Sequence, residues 1–175
     1  MWILPILLVG GSGLVWMMYI QFQQYKLRST KWEDIVSRIQ PMHEKGLAMV
    51  AQDHLNPQNR ELRLEPDDIW QLLGGREGLK RMRKNADLLV NLAAYVQRWN
   101  FEEAVIIAER IRQDSMIVKR AVFMIQLHML LKKASPRVPF HMQQAAASYY
   151  LMTQRLLALY ETCQYVRYPA LAAAL

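Results

Sequence analysis

The stretch FEEAVIIAERIRQDSMIVKRAVFMIQLHMLLKK, residues 101–133, decides the class of this fold. Phe101, Ala104, Ala108, Ile111, Ser115, Val118, Val122, Ile125 and Met129 recur at alternating steps of three and four, the signature of one buried helical face. Glu102 and Glu103 at its start and Lys132 and Lys133 at its end complement the helix dipole. The run 116–131 is apolar enough to raise the question of a second membrane span. It is short for one, and Lys119 and Arg120 near its middle would be costly in hydrocarbon, so it reads as a buried core helix.

Working outward, residues 76–99 carry one seam of Leu79, Met82, Ala86, Leu89, Ala93 and Val96 and a second of Leu88, Leu92, Tyr95 and Trp99. Two apolar sides predict that this helix lies in the middle of a bundle. Asn100 with Glu103 offers an N-cap pattern that favours a tight hairpin over a kinked continuation. Pro136 and Pro139 bracket a loop, and a last helix over about 140–167 places Met142, Ala145, Tyr149, Met152, Leu156, Leu159, Cys163 and Val166 on one face, with Pro169 ending it. The tyrosines 149, 150, 160, 165 and 168 exceed what one buried face holds, which puts some of them at the surface.

Upstream, Thr30 and Glu33 form a capping box for a helix in which Ile35, Ile39, Met42, Gly46 and Met49 keep the same spacing to about residue 54, with a kink or a restart expected at Pro41. Asn56-Pro57 marks a loop. Pro66 opens a short helix whose Asp67 and Asp68 suit its positive end, and Gly74-Gly75 closes it after Leu73.

The N-terminal stretch WILPILLVGGSGLVWMMYI, residues 2–20, contains no charge. At 1.5 Å per residue, about 19 residues reach roughly 28 Å, close to the thickness of the bilayer hydrocarbon. No Lys or Arg precedes the stretch, and it runs into Met17, Met18, Tyr19 and Ile20 without a cleavage pattern, so it reads as a retained anchor rather than a signal peptide. Lys26, Arg28, Lys31 and Arg38 follow the span and no basic side chain precedes it, which places the N-terminus outside and the body in the cytoplasm. The fold class that results is all-α: a single transmembrane helix and juxtamembrane segment over 1–29, an antiparallel bundle of about four long helices over 30–167, and a short apolar tail over 168–175. Seven glycines and seven prolines in 175 residues suit long helices, and the apolar content excludes disorder.

Motifs of catalysis are missing from the sequence. There is no GxGxxG, phosphate loop, GxSxG, HExxH or Glu-x-x-His, and Gly74-Gly75-Arg76-Glu77-Gly78 lacks the strand and lysine of a phosphate-binding loop. His43, His54, His128 and His141 show no ligand spacing, and Cys163, the single cysteine, falls on an apolar seam as a small hydrophobe. The expectation is a non-catalytic protein without cofactor or metal.

Arg76, Lys80, Arg81, Arg83 and Lys84 are the one surface feature above background in a chain of net charge +7. A solvated face accounts for many such runs. Positive charge in the first turns of a helix nevertheless opposes its dipole, which a binding role would explain. These residues are therefore the candidate anion-binding site. The sequence reads as a membrane-anchored interaction or scaffolding module, binding the bilayer through 2–20 and a protein partner or itself through its body. The alternative is a tethered module binding nucleic acid or anionic lipid. A helix rising upright from residue 31 would carry the cluster some 36 Å from the bilayer, several Debye lengths away, which favours a soluble anionic partner, whereas a sharp kink at Pro41 would lay the bundle on the membrane and bring the cluster back within reach.

Overall fold

The computed structural model describes residues 31–58, 64–97, 101–131, 137–163 and 168–175. The anchor at 2–20, the segment 21–29, the Thr30 cap, Asn100 and the Lys132–Lys133 pair lie outside the described residues. Among those described, seven helices and no strand are found: α1 (Trp32–Val36), α2 (Glu44–Leu55), α3 (Pro66–Leu72), α4 (Gly75–Gln97), α5 (Phe101–Leu130), α6 (Arg137–Thr162) and α7 (Tyr168–Ala172). No helix among them is long and apolar enough to cross a membrane.

The side-chain pairs between helices fix the topology. Asp87 pairs with Lys119, and Arg112 donates to Gln97 at 3.3 Å, so α4 and α5 run antiparallel and the chain reverses between them, as the hairpin reading requires. Asp114 with Arg155 and His128 with His141 set α5 antiparallel to α6, and Gln143 donating to Asp53 at 2.7 Å near one end of α2, with Leu47 and Ala48 beside Thr153 and Leu157 near the other, sets α2 antiparallel to α6. The seam expected on α5 is the buried one, from Ala104 through Ile111, Val118 and Val122 to Ile125.

The centre of the bundle is α6, not α4. Helices α2, α3, α4, α5 and α7 all pack on α6. It tolerates neighbours on several sides because Ala145, Ala146, Ala147 and Ser148 are small and all buried, letting backbones approach, while Met152, Leu156 and Leu159 fill the layers below. A run of alanines carries little periodic signal, whereas the double seam of α4 resolves into one broad buried face with Leu88 and Tyr95 at its edge.

Two further boundaries differ from expectation. Pro139 is the third residue of α6 rather than part of a loop, a first-turn position whose missing N–H has no helical acceptor to lose. Residues 168–175 are not a loose tail. Pro169 lies inside α7, and Leu171 is fully buried in the common core.

The largest correction concerns residues 31–43. The helix from Trp32 ends at Val36, before Pro41, and the restart that Pro41 suggested comes at Glu44, from which α2 runs to Leu55. Pro41 cannot donate in a helix, and residues 39–43 cross the bundle in non-helical form before His43 restarts the chain, its Nδ1 accepting from the Gly46 N–H at 3.0 Å to cap α2. Backbone polar groups that leave a helix on a half-buried path still need partners. Asn85, fully buried on α4, supplies them by accepting from the Gln40 N–H at 3.0 Å and donating to its carbonyl at 2.7 Å. The same amide donates to the Tyr149 hydroxyl at 3.1 Å. Burial pushes the Tyr149 phenol up to about 12, against a smaller opposing pull from Asn85. Nearby, the Trp32 indole donates to the Tyr160 hydroxyl at 2.9 Å, and Tyr160 donates to the Leu92 carbonyl at 3.3 Å. Residues 31–43 are therefore folded against α4 and α6, and the upright 24-residue spacer of the sequence reading does not exist.

Candidate anion-binding face

The basic cluster is mounted on a tight turn between α3 and α4. Gly74 and Gly75 have φ of 74° and 60°, in the left-handed region that side chains disfavour, and the chain reverses within these residues. Gly78 lets α4 start directly over the end of α3, since a Cβ there would lie 1.6 Å from the Leu73 carbonyl oxygen. With Leu79 and Met82 buried, helical spacing projects the opposite side of α4 into solvent.

All five candidate residues, Arg76, Lys80, Arg81, Arg83 and Lys84, are exposed. Arg76, Lys80, Arg83 and Lys84 share an arc of about 100° and Arg81 stands on its flank. Lys80 reaches Glu77 at 3.7 Å, an exposed pair of little energetic weight. Asp87, the next carboxylate along α4, is taken by Lys119 of α5. Among the described residues no carboxylate pairs with Arg76, Arg81, Arg83 or Lys84. Lys84 also borders a shallow groove with Arg38, Ile39, Pro41 and Leu88. The arrangement presents several cations, fixed in spacing by a helix and open to solvent, to an anionic surface.

The other candidate chemistries are dispersed. His43 is a helix cap, His54 meets Phe140 edge-on at 5.7 Å, and His128 lies nearly parallel to His141 at 6.5 Å. No group of three His, Cys, Asp or Glu among the described residues converges as metal ligands would. Cys163 is half-buried against the core, and Tyr149 and Tyr160 are buried with hydroxyl partners, while Tyr150 borders an open groove between α2 and α6. Tyr165 and the side chain of Tyr168 lie outside the description.

One surface was missed by periodicity. The run 116–131 is only half core: Val118, Ala121, Val122 and Ile125 are buried, but Met116 is 64% exposed, Phe123 54% and Leu130 78%, with Ile117 and Leu131 exposed beside them. The signal was in the sequence, because these residues lie off the seam that defines the helix. The chain matches no protein-family model, and no curated protein or solved structure matches it.

Proposed function

We propose that this chain is a non-catalytic interaction module, held at a membrane by residues 2–20 with its body in the cytoplasm, whose binding face is the basic arc of α4. The observation that supports this reading is the arc itself: exposed cations on a rigid helix, with Glu77 reaching only Lys80 and Asp87 engaged by another helix. A charge array of this kind adds to encounter rate and selects anionic partners by complementarity. The upright spacer that favoured a soluble partner is gone, so the partner is open to the membrane as well as to soluble polyanions.

The test uses the full-length protein in nanodiscs of zwitterionic lipid, bound to a heparin column and eluted with salt. Changing Lys80, Arg81, Arg83 and Lys84 to Gln lowers the salt needed for elution more than changing Lys31, Arg38, Lys45 and Arg110 to Gln, a substitution with the same effect on net charge. Equal shifts for the two variants would mean that the arc is ordinary solvated surface.

A further inference from the structure

The exposed apolar side chains of α5 and the basic arc of α4 belong to one surface. Lys119 shares an edge of α5 with Phe123, four residues on, and with Leu130 a further seven on; Asp87 shares an edge of α4 with Lys80, Arg83 and Lys84. The Lys119–Asp87 ion pair joins those two edges. Carried along the antiparallel register, the same pairing sets Lys84 level with Val122 and Lys80 level with Gln126. An apolar strip of Met116, Phe123, Leu130 and Leu131 is thus bordered along its length by cations, with Arg120 inside it.

Charge decides what such a strip can meet. Between Asp114 and Glu161 the sequence contains no acidic residue, while Lys119, Arg120, Lys132, Lys133, Arg137 and Arg155 fall inside that interval. A twofold pairing of two copies through this strip would set Arg120, Arg83 and Lys84 of each copy against those of the other, while Asp87 and Glu77 on the same border are already engaged by Lys119 and Lys80. An anionic bilayer surface answers all of them. Large apolar side chains enter the boundary of the acyl region while long basic side chains extend to the phosphates, the pattern of helices that lie in the plane of a membrane. The same Lys119 and Arg120 that forbid spanning are in place for lying flat.

We propose that α5 docks lengthwise on the anionic leaflet to which the chain is tethered, with Met116, Phe123, Leu130 and Leu131 in the interface and the α4 arc on the headgroups. The proposal rests on the reading of residues 2–20 as an anchor and of the arc as an anion-binding face, and it names the arc's partner. Reach permits it. The bundle is about 45 Å long, the length of α5, and ten residues between position 20 and position 31 span at most about 33–36 Å when extended.

The experiment places a fluorophore on the full-length chain, with Cys163 changed to Ala, at Phe123→Cys, at Leu130→Cys, or at Gln52→Cys on the exposed side of α2 as control. Each protein is reconstituted in phosphatidylcholine vesicles with and without phosphatidylglycerol, then probed with aqueous iodide and with lipids carrying an acyl-chain quencher. Labels at 123 and 130 are quenched from the lipid and protected from iodide when phosphatidylglycerol is present, and the label at 52 is not. Arg120→Gln lowers the docked-to-undocked ratio roughly fivefold, the effect of one charge at such a surface, and the Lys80→Gln, Arg83→Gln, Lys84→Gln triple variant lowers it further. Equal iodide access at 123 in both lipids overturns the proposal. So does protection from iodide without lipid quenching that grows with protein density, which identifies a second copy as the occupant. Extraction of the full-length chain by alkaline carbonate would instead refute the anchor, and the quenching pattern still decides the strip.

Discussion

Helices α5 and α6 are similarly long and similarly rich in apolar residues, yet five helices pack on α6, whose outer stripe beyond Phe140 carries Gln154, Ala158 and Glu161, while the outer stripe of α5 carries large apolar groups. The difference lies in side-chain size. Where α6 turns away from its main seam it presents Ala146, Ala147 and Ser148, against which other helices close. Where α5 turns away it presents Met116, Phe123 and Leu130, large groups that no helix among those described covers. Apolar content alone therefore does not report burial; small residues around a helix mark a hub, and large ones left over mark a surface with a use.

That contrast breaks first under truncation. Leu156→Ala in α6 costs about 2–5 kcal/mol by removing a fully buried side chain, whereas Phe123→Ala on the outer side of α5 changes stability by about 0.5 kcal/mol or less, both read from urea unfolding. Comparable losses would mean that α5 is covered after all. A second test uses the dryness around α6. The folded state holds Tyr149 as the neutral phenol until about pH 12, against about 10 in the unfolded chain, so its contribution is intact below pH 10 and is lost as pH rises from 10 to 12. That loss amounts to about 3 kcal/mol, and a pH series of unfolding curves for wild type and Tyr149→Phe isolates it as extra alkaline slope in the wild type. An identical slope in both proteins would place the phenol in contact with water. The smallest expected effect probes size directly: Ala146→Leu costs about 1–3 kcal/mol through overpacking, while Arg120→Leu on α5 leaves the melting temperature nearly unchanged.

What could be read from the sequence was local. The α3–α4 turn followed from Gly74-Gly75, the start of α3 from Pro66, the buried side of α5 from its three-four spacing, and the exposure of the basic arc from its position opposite Leu79 and Met82. What could not be read depended on partners distant in the chain. Nothing near Asn85 announces that it will satisfy the backbone of Gln40, 45 residues away, and nothing near Pro41 announces how far the chain will run outside a helix before it restarts at Glu44. The hub role of α6 was hidden because alanines give no periodic signal. The arc's neighbourhood with the α5 strip was hidden because it depends on how two helices are in register, which the Asp87–Lys119 and Gln97–Arg112 pairs reveal.

The fastening of residues 31–43 also has a mechanical meaning. Any pull arriving through position 31 meets Trp32, bonded to Tyr160 of α6, and then Gln40, held at both its N–H and its carbonyl by Asn85 of α4. The two attachment points lie on different long helices, and their levels along α4, near Leu92 and at Asn85, are about 10 Å apart. The fastenings act in series: Trp32 takes the load first, and Gln40 takes it over only once Trp32 has come free. A tether fixed at a single point would pass the pull straight to the bundle; this one must release α6 before it loads α4.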